Sequence, residues 1–217
     1  MRILSIGTRP SQLALKQLEE IEDLFPGIVF NAFLIKTKGD KDKSTPLPLE
    51  EGTDFFTHEI EQALLKDEID VAVHSAKDLE EEASEGLVVA AMTRSIDPYD
   101  ALVSRGNLTL DELPSRSRIG TSSINRQEAT KKYRKDLVIK DIRGNVDDRI
   151  KQLDEEDFDA IIVARAALIR LGLEERIAQV LPFSVIRPNS LQGRLALQVR
   201  KDRRDLIKLF EEINEKQ

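Results

Sequence analysis

Lys77 and Asp78 stand side by side in "DVAVHSAKDLE" (residues 70–80), just past an apolar run, Val71-Ala72-Val73. A carboxylate at the end of a buried strand can stabilise positive charge that develops during a reaction, or move a proton, while a neighbouring lysine holds an anionic part of the ligand. The spacing alone also admits a plain alternative, in which Asp78 caps the next turn and His74 is a satisfied core histidine. His58 reads as an exposed helix residue. Four other strand-to-helix junctions combine arginine with small polar residues: "GTRPS" (7–11), "GTSSINR" (120–126), "IRGNVDDR" (142–149) and "LGLEER" (171–176). Backbone N–H groups at a helix start suit phosphate or carboxylate, and arginine can grip a carboxylate through two parallel hydrogen bonds. A single arginine in such a turn is more often a surface or helix-end residue. Four junctions with the same bias point to an anionic ligand, plausibly one with several carboxylates.

These groups need elements to position them, and the pattern is strand, polar turn, helix, repeated. Residues 2–7 read as a strand, and Ser11 can cap a helix with Ala14, Leu18, Ile21 and Phe25 on one face. The run "IVFNAFLIK" (28–36) is nearly continuously apolar, as a strand covered on both faces would be. A long polar loop, residues 37–48, precedes a helix marked by Phe56, Ile60, Ala63 and Leu64, then the strand ending at Val73, and another strand over 86–92. "SIDPYDALVS" (95–104) reads as a crossing point, after which a second series of strands and helices begins. Leu195, Leu197 and Val199 alternate as a late strand, and Leu206, Leu209, Phe210 and Ile213 mark a last helix. Alternating β and α elements argue an α/β protein with largely parallel sheets. Two such series with a late return predict two lobes facing a ligand cleft.

Composition narrows the function classes. The 217 residues carry a net charge of −7, which disfavours nucleic acid as a partner. There is no cysteine, hence no disulfide and no thiolate chemistry in these residues, and two histidines make a transition-metal centre unexpected. The start of the chain does not read as a signal peptide, and no apolar stretch approaches a membrane span. The expected setting is the cytoplasm, with no membrane partner.

In their order and spacing, "GTRPSQLAL", "TKGD", "DVAVHSAKD", "DPYDALVS", "GTSSINRQ", "DIRGNVDDRI", "FDAIIVARAALIRLGLEER" and "LQGRLAL" resemble the hydroxymethylbilane synthase (porphobilinogen deaminase) family over almost the whole chain. The resemblance implies a fold whose first two domains look like a type II periplasmic binding protein. Domain 1 would be residues 1–94 with 191–217 and domain 2 residues 95–190, with hinges near 94–97 and 187–191. It implies a transferase of tetrapyrrole (porphyrin, haem) biosynthesis that condenses porphobilinogen units stepwise into a linear tetrapyrrole, each losing ammonia. Asp78 matches the family's catalytic aspartate. Arg9, Arg126, Arg143, Arg149 and Arg176 match arginines that bind the acetate and propionate arms, with Lys77, Ser11 and Ser123 as further ligand contacts. No metal is implied, and a monomer is expected.

Several positions depart from the family's pattern. The family carries a dipyrromethane cofactor, joined by a thioether to a cysteine in a third domain; that domain and that cysteine have no counterpart among these residues, so the cofactor is expected to be non-covalent or absent here. Asn125 stands where the family usually has a second arginine, "EGTDFF" (51–56) replaces a Gly-Lys-Gly segment, and Leu191 and Arg194 flank Gln192-Gly193, where the family prefers Gly and Ala. An alternative reading is therefore a catalytically impaired homologue that binds porphobilinogen or polypyrrole carboxylates.

Overall fold

The computed structural model of the chain describes residues 2–41, 54–80, 82–155 and 157–215. In chain order the elements are β1 (Arg2–Thr8), α1 (Gln12–Leu24), β2 (Ile28–Leu34), the single turn α2 (Lys38–Lys41), α3 (His58–Leu65), β3 (Val71–Ser75), β4 (Leu87–Met92), β5 (Asp100–Ser104), β6 (Arg118–Gly120), α4 (Ile124–Tyr133), β7 (Val138–Lys140), α5 (Val146–Asp154), β8 (Ala160–Ala164), α6 (Arg165–Leu171), β9 (Gln179–Leu181), β10 (Leu195–Arg200) and α7 (Arg204–Glu215). Short 3₁₀ turns lie between them, among them Ala76–Asp78 directly after β3. Most of the polar segment 37–48, and residues 51–53 of "EGTDFF", lie outside the described residues. No helix among the described residues is long and apolar enough to cross a membrane.

Two compact units result. The first comprises Met1–Asp42, Glu50–Ile96 and Arg194–Gln217, and the second Asp97–Gly193. Each holds one five-stranded sheet, in the order β2-β1-β3-β10-β4 and β7-β6-β8-β5-β9. In both sheets four strands run parallel, and the fourth in order is antiparallel to its neighbours. That antiparallel strand is in each case the first one after the chain crosses between units: β5 on the way out, β10 on the return. A parallel strand needs a crossover connection to reach its neighbour, whereas a strand arriving from another unit is free of that demand.

In the first unit, Leu4, Ile6, Val71, Val73, Leu195, Leu197 and Val199 face α1 and α7. Phe210 of α7 is fully buried there and meets Phe25 edge to face at 5.3 Å. The other face packs on α3 through Ile60, Ala63, Leu64, Ala72 and Leu87. α1 stops at Phe25 because Pro26 cannot continue it, and Ile28 N–H closes the turn onto the Phe25 carbonyl at 2.9 Å. In the second unit α5 and α6 cover one face through Ile150, Leu153 and Leu168, and the other face buries Leu110, Leu113, Ile119, Leu137 and Ile186.

One expectation is corrected. The apolar run of residues 28–36 is not a strand covered on both faces; β2 is an edge strand paired with β1 alone, and Phe33 and Leu34 are 47% and 54% exposed. Among the described residues its contribution to the core is Phe30, which meets Phe25 beneath α1.

Truncating Phe210 to alanine should cost about 3–5 kcal/mol, the range for a buried aromatic. Urea unfolding of Phe210→Ala against the parent checks this. A change below about 1 kcal/mol would mean that α7 is not part of the first core.

Candidate active site

The carboxyl ends of the parallel strands, and the amino end of the one antiparallel strand, share one edge of each sheet. Ligands of open α/β sheets bind outside that edge. In the first unit it carries Arg9 and Ser11 after β1, Lys77 and Asp78 after β3, and Arg194 just before β10.

Asp78 closes the 3₁₀ turn that begins at Ala76. The Ala76 N–H donates to the Arg194 carbonyl at 3.0 Å, continuing the β3–β10 ladder by one residue, and the Leu79 N–H returns to the Ala76 carbonyl at 3.3 Å. Gln17 of α1 donates to Ser75 Oγ at 2.9 Å and ties the helix to the end of the strand. The turn is therefore held by backbone and flanking bonds, and the half-buried Asp78 carboxylate takes no hydrogen bond or ion pair from any described residue. A carboxylate in a structural capping role would accept a backbone N–H; this one does not.

Arg9 and Ser11 have internal work. Ser11 Oγ accepts the Ala14 N–H at 3.2 Å and caps α1. Arg9 forms an ion pair with Asp40, its Nε donating to Asp40 Oδ1 at 3.2 Å, and its guanidinium lies 4.6 Å from the centre of the Phe56 ring. Burial would raise the Asp40 pKa, but the Arg9 guanidinium and the N–H and hydroxyl of Thr37, each 3.0 Å away, together hold it below the ordinary carboxylate value.

Behind this edge lies a buried polar cluster. His74, on β3, is buried, and burial pushes its imidazole down to about 4, against the smaller opposing influence of Glu61 and the Gln198 amide. Glu61 of α3 accepts from Gln198 Nε2 and from Ser84 Oγ, both at 2.6 Å. His74 is thus neutral at physiological pH and structural in kind.

In the second unit the edge holds the loops after β6, β7 and β8. Ser122 joins the first two: its hydroxyl donates to the Ile142 carbonyl at 2.8 Å and accepts the Ile142 N–H at 3.0 Å. Ser123 sits at the start of α4. Arg143 precedes Gly144, whose φ of +99° favours glycine, and Asn145 opens α5 with the Asp148 carboxylate accepting its N–H at 3.2 Å. Arg149, one turn into α5, donates from Nε to the Gly144 carbonyl at 3.0 Å and so stays at the helix start beside Arg143. Ser123, Arg143 and Arg149 thus all belong to the loops and helix starts on this edge.

Arg126 and Arg176 are placed differently. Arg126 is 8% exposed and makes a two-pronged pair with the Asp100 carboxylate, Nη2–Oδ1 at 2.7 Å and Nε–Oδ2 at 3.1 Å, while Gln192 bonds both partners. Gln192 Nε2 also reaches the Pro98 and Tyr99 carbonyls, so the network fixes the start of β5. Arg176 pairs with Asp154, the last residue of α5, at 2.6 Å. This is one helix length, roughly 13 Å, from the Arg143 end. The same unit shows two arginines at α6 outside the sequence-derived set: Arg165 pairs with Asp97 at 2.6 Å, and Arg170 donates to the Gly193 carbonyl at 2.9 Å. Their signal was the spacing of the arginines in "ARAALIR", which sets both on one helix directly after a strand. Asn125 donates to the Arg187 carbonyl at 2.7 Å.

The family model described as "Porphobilinogen deaminase, dipyromethane cofactor binding domain" matches residues 4–208. A porphobilinogen deaminase of Syntrophomonas wolfei is 44% identical over 218 residues, covering 99% of this chain and 71% of the relative. One of Natranaerobius thermophilus is 43% identical, covering 94% and 67%. Among solved structures, a periplasmic substrate-binding protein of an ABC transporter from Coxiella burnetii matches with a TM-score of 0.58 at 14% identity, covering 97% of this chain and 92% of that one. That likeness concerns the fold alone.

Two outcomes test these assignments. Removing one partner of the buried pair, in Arg126→Ala or Asp100→Ala, should destabilise the second unit by about 3–5 kcal/mol, measured by chemical denaturation; an unchanged midpoint would mean the pair is not fixed as described. Lowering the pH should destabilise the first unit through His74. Its unfolded value near 6.5 lies above the folded value of about 4, so between these the unfolded chain binds a proton that the folded chain refuses. Stability should drop by about 2 kcal/mol between pH 7.5 and 5, and His74→Leu should flatten that drop.

Proposed function

Because the chain belongs to the porphobilinogen deaminase family, we propose that it condenses porphobilinogen units, with loss of ammonia, into a linear tetrapyrrole. The observation that carries the site assignment is the Asp78 carboxylate, held on a backbone-braced turn without a partner among the described residues. Loss of ammonia breaks the bond between the methylene carbon and the amine. The nitrogen leaves with the electron pair, and the positive charge left behind spreads into the pyrrole ring. A fixed carboxylate is complementary to that charge and to the pyrrole N–H, and it need not reorganise when the charge appears.

The acetate and propionate arms call for cations that lie at a sheet edge. Lys77 in the first unit, and Arg143 and Arg149 in the second, are the residues we assign to them, with Ser123 as a neutral donor. Arg9, Arg126 and Ser11 also hold the edges in shape through bonds within their own unit, as Arg149 does through the Gly144 carbonyl, and are kept as proposed ligand contacts. Arg176 is kept as a proposal of lower rank, because its pair with Asp154 sets it at the far end of α5.

The family's dipyrromethane cofactor is a polycarboxylate with pyrrole N–H donors, and a free carboxylate with cations at the same edges fits such a group. In the first unit Asp78 would accept its N–H groups and Lys77 would hold one of its carboxylates. When bound, it supplies the primer to which pyrrole units are added. These contacts are hydrogen bonds and ion pairs, and the 217 residues hold no thiol for a thioether.

Purified protein incubated with porphobilinogen, with and without an added dipyrromethane, should consume substrate and release ammonia when the primer is present. Asp78→Asn should lower the rate by about two to three orders of magnitude while leaving the unfolding midpoint unchanged. Well-folded protein that consumes no porphobilinogen under either condition would sink this reading and leave the binding homologue in its place.

A further inference from the structure

We propose that Arg194 is a further ligand-binding residue of this site, whose guanidinium takes a carboxylate arm of the pyrrole held at Asp78. The proposal rests on the reading just given and extends it to a residue outside the assigned set.

The position of Arg194 is fixed by its backbone. Its carbonyl accepts the Ala76 N–H at 3.0 Å, so it lies directly across from the first residue of the turn that carries Lys77 and Asp78. Along β10, Leu195, Leu197 and Val199 face the core under α1 and α7. Alternation therefore turns Arg194 toward the opposite face, that of Gln198, whose amide reaches Glu61 of α3. The side chain stands at the carboxyl edge on the α3 side.

Its electrostatic state sets it apart. Arg9, Arg126, Arg165, Arg176, Arg200 and Arg203 each have an aspartate within ion-pair distance. Arg194 has no hydrogen-bond or ion-pair partner among the described residues, and its Nε is shut off from solvent without an acceptor. The residue as a whole is only partly buried, and Nε alone of its guanidinium nitrogens is sealed off unpaired, so the outer two are reachable. A guanidinium held this way is costly to keep unless an anion completes it. Asp78, on the facing turn, is the complementary case: an anion without a partner among the described residues. The two charges do not pair with each other. Together they suit a ligand carrying a nascent cation and a carboxylate a few atoms apart, which describes an aminomethyl pyrrole with acetate and propionate arms.

The test is titration calorimetry with a non-reacting pyrrole that bears acetate and propionate arms but no aminomethyl group. Arg194→Ala should weaken binding about tenfold to a hundredfold, and Arg194→Lys should restore part of the loss. Against the same pyrrole with both arms esterified, the parent and Arg194→Ala should bind alike, because the charge that Arg194 reads is gone; a merely structural role would give the same deficit for acid and ester. Unfolding midpoints for each variant identify misfolded protein, and Arg194→Gln, which keeps the side-chain length, replaces any variant that fails to fold. Equal affinity of parent and Arg194→Ala for the acid overturns the proposal, as does a deficit that persists with the ester. A parent that binds no pyrrole and consumes no porphobilinogen overturns the functional reading itself. Normal consumption by the parent with an unchanged Arg194→Ala affinity overturns this inference alone.

Discussion

The hydrogen bond from the Ala76 N–H to the Arg194 carbonyl joins two parts of the first unit that the whole second unit separates in sequence, and it does so beside the candidate acid. β10 lies between β3 and β4, so the sheet of this unit is complete only after the chain has returned from the second. Thr93 and Leu195 reinforce the junction, the Thr93 N–H donating to the Leu195 carbonyl and the Leu195 N–H to Thr93 Oγ1, both at 2.9 Å. Because the clamp uses backbone groups, the side chains of Asp78 and Arg194 stay available. A site that needs an unpaired acid has to be braced by something other than that acid.

Charge follows the same logic elsewhere. The chain carries 33 basic and 40 acidic residues, so most arginines near a sheet edge find an aspartate. Where the pair is buried, as for Arg126 and Asp100, the Coulomb gain has to offset desolvation. It can do so here because Gln192 and the two-pronged geometry satisfy the remaining hydrogen-bonding groups. Such a pair brings order to the start of β5 and leaves little capacity for a ligand. Asp78 and Arg194 keep that capacity, since neither has a counter-ion among the described residues.

Fold class was legible because its signals are local and repeated: period-two apolar runs, and cap residues such as Ser11 before a helical apolar stripe. The apolar run of residues 28–36 misled because hydrophobicity reports what could be buried, while position in the sheet decides what is. Strand order depends on pairing between distant segments, and β2 came to lie at an edge with Phe33 and Leu34 exposed. The motif order that marks the family was equally plain, since it is written residue by residue. Which arginine faces solvent and which faces an aspartate was not plain, because Asp40, Asp97, Asp100 and Asp154 reach Arg9, Arg165, Arg126 and Arg176 across 22 to 68 positions of sequence.

The residues by themselves determined the alternation of strands and helices, the family, the acid at position 78 and the lack of any thiol in these 217 residues. Those properties are carried by residue type and near-neighbour spacing. Only the tertiary structure decided that Arg126 is enclosed with Asp100, and that Asp78, on its braced turn, and Arg194, across from it, have no counter-ion among the described residues. A charge is neutralised or left available by whichever group the folded chain sets within a few ångströms of it, and that distance exists only once strands far apart in sequence have paired.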